Sequence, residues 1–258
     1  MNIFKKHLLF KMMKDVEFLI KKLVPEKYLL RKRLKRAIRK NYEKELEIIE
    51  KFSDKSKDAL DIGVYRGVYS YKLAQNFNFV HSFEPNPLLF PYLKKNLKKI
   101  INNIELYNFA LSDLNGETKL KLPIRSQSIF KNNIEELYKL GAATIHPKNK
   151  IFNFKEVIVK KQKLDDIKIN NEIGFIKIDV EGHEIEVING AKKIIKKNKP
   201  ILLIEIEERH SQTPVKESIN YIKNFGYECY FVKDKKLISI DNLEDTKLEN
   251  NYYFKPIL

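Results

Sequence analysis

The sequence predicts an α/β fold: an open, mostly parallel sheet preceded by a helical extension. Three observations predict it. From residue 58 onward, short apolar runs alternate with stretches of helical periodicity, the pattern of repeated βαβ units. A glycine turn ends the first of those runs and an acid closes the second, as at the ligand-binding edge of such sheets. The chain has 258 residues, 43% of them hydrophobic, enough to bury one sizeable core. A single cysteine, Cys229, excludes a disulfide framework and a cysteine metal site. In the strand-like ECYFV it is expected to be a small buried apolar side chain. No apolar run reaches the roughly 18 residues of a membrane span. MNIFKKHLLFKMMKDVEFLIKKL lacks a signal peptide's apolar centre and cleavage site. A cytoplasmic protein is expected.

The extension covers residues 1–57 and the sheet domain 58–258. Leu9, Met13, Val16, Ile20 and Leu23 fall at helical spacing over 3–24, and Pro25 stops that run. A second stripe, Leu30, Leu34, Ile38, Tyr42, Leu46 and Ile49, predicts a helix over 27–52. Net charge is +16, and residues 1–57 hold 18 basic side chains against 8 acidic ones. Opposite the second stripe stand Arg31, Lys32, Arg33, Lys35, Arg36, Arg39 and Lys40. Such a basic helix (residues 27–40) either lies on an anionic surface, here the inner membrane face, or packs on the domain or a second subunit with its charge solvated.

In the domain, DALDIG, FVHSF and IELYNFAL read as strands, with helices over VYSYKLAQNF and PLLFPYLKKNLKKI between them. NGETKLKL is a strand after an Asn-Gly turn, and KEVIVKKQKL alternates like a half-exposed strand. Residues 123–150, between Pro123 and Pro147, are polar and weakly periodic, as in a lid or binding loop. GFIKIDV and PILLIEIE are buried strands, HEIEVINGAKKIIKK and VKESINYIKNFG helices, and YECYFV, KLISI and NYYFK close the sheet.

ALDIGVYRG supplies Asp61, Gly63 and Gly67 at the first strand-to-helix turn. Glu84, in HSFEPNP, lies 21 residues after Gly63, where this architecture places the acceptor for ribose hydroxyls. A dinucleotide fingerprint needs a second glycine where Tyr65 stands, so that backbone can touch the pyrophosphate. Asp61 sets an anion beside the turn. S-adenosylmethionine, with a sulfonium, an amino group and no phosphate, suits that turn better than a dinucleotide does.

DIGVYRGVYS, FEPNP, ALSDLNG, KIDVEGHEIEVINGA and PILLIEIE occur in an order that resembles the FkbM family of S-adenosylmethionine-dependent methyltransferases, over about residues 58–208. The resemblance implies a Rossmann-like class I methyltransferase fold with a seven-stranded sheet, and O-methylation of a sugar, glycan or small metabolite. The cofactor set is then Asp61, Gly63, Tyr65, Gly67, Tyr69, Ser70, Glu84, Pro85, Asn86, Asn108, Ala110 and Asp179. The chain departs from the family's usual Gly-Ala-Asn at Gly63-Val64-Tyr65.

KIDVEGHE carries the chemistry. Strand alternation puts Lys177, Asp179 and Glu181 on one face, and a buried Lys177 needs a partner, for which Glu205 on the next strand is expected. Asp179 and Glu181 then stand at the sheet's carboxyl end, and His183 opens a helix. His183 serves either as the base that takes a hydroxyl proton or as a helix cap. Asp179, Glu181, Glu205, Glu207 and His210 are also a set of donors suited to Mg²⁺ or Mn²⁺. A nucleic-acid methyltransferase is disfavoured because base-modifying enzymes carry a Pro-Pro-aromatic grip where this chain reads DVEG. A non-catalytic binding protein is the third class, and the retained Asp61, Glu84 and Asp179 count against it.

Overall fold

The computed structural model describes residues 24–40, 43–123, 142–150, 153–242 and 249–257. Residues 3–23 of the first expected helix lie outside these, as do residues 124–141 of the expected loop. Strand β1 (Asp58–Ile62) is buried along its whole length. It runs parallel to β2 (Val80–Phe83) on one side and to β7 (Ile173–Ile178) on the other. Parallel pairing continues outward from β2 to β3 (Ile104–Tyr107) and from β7 to β8 (Ile201–Glu205). Beyond β8 the sheet turns antiparallel through β11 (Asn251–Pro256), β9 (Tyr227–Lys233) and β10 (Lys236–Ser239). The order is β10-β9-β11-β8-β7-β1-β2-β3. The seven expected strands are therefore present, and β10 adds an eighth. It folds back on β9 through Asp234 and Lys235, both at positive φ as a two-residue hairpin turn demands. A separate three-stranded sheet sets β6 (Phe154–Gln162) between β4 (Ala110–Leu111) and β5 (Gly116–Pro123).

Alternation divides the core between the two faces of the main sheet. Leu60, Ile62, Ile176, Ile178, Leu202 and Ile204 point to one side. Ala59, Phe175 and Leu203 point to the other, where α1 (Glu26–Arg39), α2 (Val68–Asn76) and α3 (Phe90–Leu97) cover them. Leu30 and Leu34 of α1 are fully buried in that second cluster. The apolar stripe of the extension is thus spent on the domain.

The expected helix over 27–52 ends at Arg39, and Lys44–Glu47 and Ile49–Phe52 form tight 3₁₀ turns instead. Glu45, Leu46, Ile48 and Ile49 are all buried, which one stripe of an α-helix cannot achieve. Tyr253 Oη anchors this corner by donating to the carbonyl of Glu45 at 2.7 Å. The helix expected over 183–197 is also two: α4 (Glu184–Asn189) and α5 (Lys192–Asn198). Asp165 accepts from the N–H groups of Lys193 and Ile194 and so caps α5 from a distant loop. Short α6 (Glu208–Ser211) and α7 (Val215–Lys223) follow β8.

Candidate functional site

The carboxyl ends of β1, β2, β7 and β8 open onto one cleft of about 920 Å³, within the range of small-molecule sites. Each strand delivers one wall: Ile62–Gly63, Phe83–Glu84, Asp179 and Glu205. Gly63 sits at φ +88°, and a Cβ there would lie 1.8 Å from the carbonyl oxygen of Asp179, so only glycine lets β1 and β7 meet at this point. Tyr65 is left-handed as well, at φ 47°, which aims its N–H at Glu84. Glu84 accepts from Tyr65 N–H through Oε2 and from Asn86 N–H through Oε1, both at 3.0 Å. Burial nevertheless pushes its carboxyl up to about 7.

Of the sequence-predicted set, Gly63, Tyr65, Glu84, Pro85, Ala110, Asp179, Glu181 and His183 line the cleft. Asn86 and Asn108 brace the wall from behind. Asn86 Oδ1 receives Leu88 N–H, while its Nδ2 is buried with no partner. Asn108 Nδ2 donates to the carbonyls of Glu84 and Pro85. Asp61, Gly67 and Ser70 do not line this cleft, and Tyr69 lines the adjoining cavity with Gly63, Tyr65, Lys177 and Asp179. Asp61 is fully buried and accepts from Ser70 Oγ. Burial raises its carboxyl to about 6 against the pull of Lys177. Its charge acts on the site from below.

The KIDVEGHE turn organises the rest. Lys177, 2% exposed, pairs with Asp179 at 2.8 Å rather than with the expected Glu205, and lies 4.8 Å from the Tyr69 ring centroid. The residue two positions on shares its face, and on the next strand the apolar Leu203 occupies the register position. Glu205 joins through Asp179 instead: burial and the Asp179 charge raise Glu205 to about 10, so it is a neutral acid that donates to Asp179. Burial is the largest influence on Asp179 and opposes its charge, but Lys177, the Glu205 hydrogen bond and His210 together hold that carboxyl below its ordinary value.

Glu181 at φ 57° and Gly182 at φ 106° then reverse the chain. A Cβ on Gly182 would meet the His210 carbonyl oxygen at 2.7 Å, so the turn and α6 touch backbone to backbone. Glu184 closes the turn by accepting from the N–H groups of Val180 and Gly182. Glu181 reaches into the cleft, its Oε2 3.1 Å from His210 Nδ1. Burial first, then Asp179, lifts Glu181 to about 8.

His183 lines the cleft at the start of α4. Its side chain makes no helix cap, its Nε2 meets Ser112 Oγ at 2.9 Å, and its Nδ1 faces Glu186. Burial, then the neighbouring His146, depresses it to about 4. The acid set expected to gather a cation does converge. Asp179, Glu181 and Glu205 form one group of close donor atoms, and Glu205, Glu207 and His210 a second. The segment 142–150 contributes what periodicity did not reveal: Thr144 Oγ1 and Asn149 Nδ2 both donate to the carbonyl of Glu181 at 2.8 Å. No short-range pattern marks those residues, because their partner lies more than 30 positions away.

Residues 61–229 match the family model of the methyltransferase FkbM domain. A solved FkbM methyltransferase from Methylobacillus flagellatus KT is similar over 78% of this chain and 44% of its own, with 19% identity and a TM-score of 0.49. This chain therefore spans less than half of that protein's length. An rRNA methylase from Streptococcus thermophilus is similar over 83% of this chain and 95% of its own, at 11% identity and TM-score 0.44. A TehB-like SAM-dependent methyltransferase from Corynebacterium glutamicum is similar over 90% and 97%, at 9% identity and TM-score 0.42. No curated protein sequence matches the chain. The glycine turn, the Glu84 wall and the buried, unpartnered Asn86 amide fit an adenosine-bearing donor. The chain belongs to the FkbM methyltransferase family, and that membership implies S-adenosylmethionine as its methyl donor.

Proposed function

We propose that the protein methylates a hydroxyl of a sugar, glycan or small metabolite, with His210 as general base. The observation that carries this is the Glu181–His210 pair, 3.1 Å apart in the cleft that Glu84 and Asp179 also line. S-adenosylmethionine supplies an electrophilic methyl group when bound. Glu84 would accept the ribose hydroxyls, Pro85, Phe109 and Ala110 would flank the base, and Gly63 and Tyr65 would face the methionine part. Most of the acceleration comes from alignment of acceptor and donor. His210 Nε2 would take the proton of the acceptor hydroxyl, while Glu181 holds Nδ1. Burial keeps His210 below its ordinary pKa, so its ring is neutral near pH 7 and able to take that proton.

A second reading rests on the convergence of Asp179, Glu181 and Glu205. Three oxygens suit a hard divalent cation, which would orient the acceptor hydroxyl and lower its pKa. Turnover lost on chelation and restored by Mg²⁺ supports that reading.

The decisive experiment is a transfer assay with methyl-labelled donor over glycans, lipids, RNA and small alcohols. Label should appear on a hydroxyl-bearing acceptor. His210→Ala should lower turnover ~10²–10⁴-fold with donor binding kept. Turnover unchanged in His210→Ala removes the base from this assignment, and label on a nucleobase overturns the acceptor class.

A further inference from the structure

Where the KIDVEGHE turn meets the segment 142–150, beside the acids of the cleft, His146, His183 and Glu186 converge. Each offers one donor atom, and these atoms all lie within 4.8 Å of one another. His146 belongs to the segment 142–150, His183 precedes α4, and Glu186 is in the first turn of that helix. His183 Nδ1 is 3.6 Å from Glu186 Oε2, and His146 Nδ1 is 3.9 Å from Oε1. Both imidazole side chains are 9% exposed.

The hydrogen bonds on the far side of each ring fix which nitrogen carries its proton. His146 Nε2 faces the carbonyl of Ser211 at 3.3 Å, and a carbonyl only accepts, so Nε2 is the protonated nitrogen. Ser112 gives its one hydroxyl proton to Asp113, so His183 Nε2–H must donate to Ser112 Oγ. As neutral imidazoles, both rings therefore turn an Nδ1 lone pair toward the Glu186 carboxylate. Among the described residues neither Nδ1 has a hydrogen-bond partner, and both are buried. Two lone pairs and an anion facing one another repel unless a cation stands between them.

We propose that His146, His183 and Glu186 bind one divalent transition-metal ion, with zinc the best match. Two imidazoles and a carboxylate are a known zinc donor set, and nitrogen donors disfavour Mg²⁺ and Ca²⁺. Metal–ligand bonds of about 2.0–2.2 Å in a tetrahedron put donor atoms about 3.4 Å apart. The three donor atoms, all within 4.8 Å of one another, close to that by side-chain rotations. The Nε2–H bonds to Ser211 and Ser112 are the outer contacts that hold metal-bound imidazoles in place. The ion would fasten the segment 142–150 to α4. Ala142, Ala143, Ile145, Asn149 and Lys150 of that segment wall the cleft, so the site sets the cleft's shape.

The test uses the full chain, stripped with chelator and titrated with Co²⁺, read by visible absorption and elemental analysis. Wild type should take up one Co²⁺ with the strong bands of a tetrahedral site, and Zn²⁺ should displace it. His146→Ala should lose the bands. The near-isosteric Glu186→Gln should bind at least ~10-fold more weakly, with its circular dichroism unchanged. Glu205→Gln, which alters only the acid cluster of the cleft, should keep the bands. Absence of Co²⁺ uptake by wild type overturns the proposal. So does uptake that survives in Glu186→Gln and is lost in Glu205→Gln.

Discussion

Lys177 keeps a charge on a strand where almost no solvent reaches it, and does so because Asp179 and Asp61 outweigh the cost of burial. Removing one partner of such a pair leaves the other charge buried, at about 3–5 kcal/mol. Lys177→Ala should therefore lower unfolding free energy by that amount in urea titration, and a loss below about 1 kcal/mol would contradict the pairing. The need for a partner was legible in the sequence, since a lysine among isoleucines must be matched. Its identity was not, because alternation gives a face and leaves open which neighbour on that face is nearest. His183 teaches the same lesson. Its place beside the glycine was legible, but its bond to Ser112 and the approach of His210 to Glu181 across the backbone reversal were not. The place of Glu84 at the end of β2, against the glycine turn, was legible from its distance to Gly63.

At the scale of elements, the helical extension is part of the core. Leu34 is 1% exposed between α2 and α3, and deleting such a side chain costs about 2–5 kcal/mol. Leu34→Ala should shift the urea midpoint accordingly, whereas a helix merely resting on the surface would tolerate the change within about 0.5 kcal/mol. Periodicity found α1 and most strands because those elements present one face to one core. It overran where burial is all-round, at Glu45–Ile49, and where a distant side chain intervenes, as Asp165 does at the start of α5. Alternation marked β6 and an Asn-Gly turn marked β5, whereas the run IELYNFAL hides the break that sends β4 to the small sheet. That segment 142–150 clamps the KIDVEGHE turn was not visible, since long-range hydrogen bonds leave no local pattern.

For the whole molecule, the buried stripe of α1 leaves Arg31, Lys32, Lys35, Arg36, Arg39 and Lys40 exposed on its other face. Among the described residues no helix is long and apolar enough to cross a membrane. Any attraction to an anionic surface through α1 is then electrostatic, without insertion of Leu30 or Leu34. At about 1 kcal/mol per basic residue, that face should bring the protein down with phosphatidylserine vesicles at low salt and release it as screening shortens the Debye length. No co-sedimentation at low salt would leave the charge as a solvated face. The central claim is that the cleft holds S-adenosylmethionine through Glu84, and calorimetric titration of wild type and Glu84→Gln at pH 8 and pH 6 tests it most directly. The ionised carboxylate accepts ribose hydroxyls best, worth about 1.5–3 kcal/mol, and it takes its proton as pH falls through about 7. Wild type should bind at pH 8 and about tenfold more weakly at pH 6. Glu84→Gln should bind ~10-fold or more weakly than wild type at pH 8 and respond little to pH. Wild type that fails to bind the donor, or Glu84→Gln that binds as tightly as wild type at pH 8, would contradict the account.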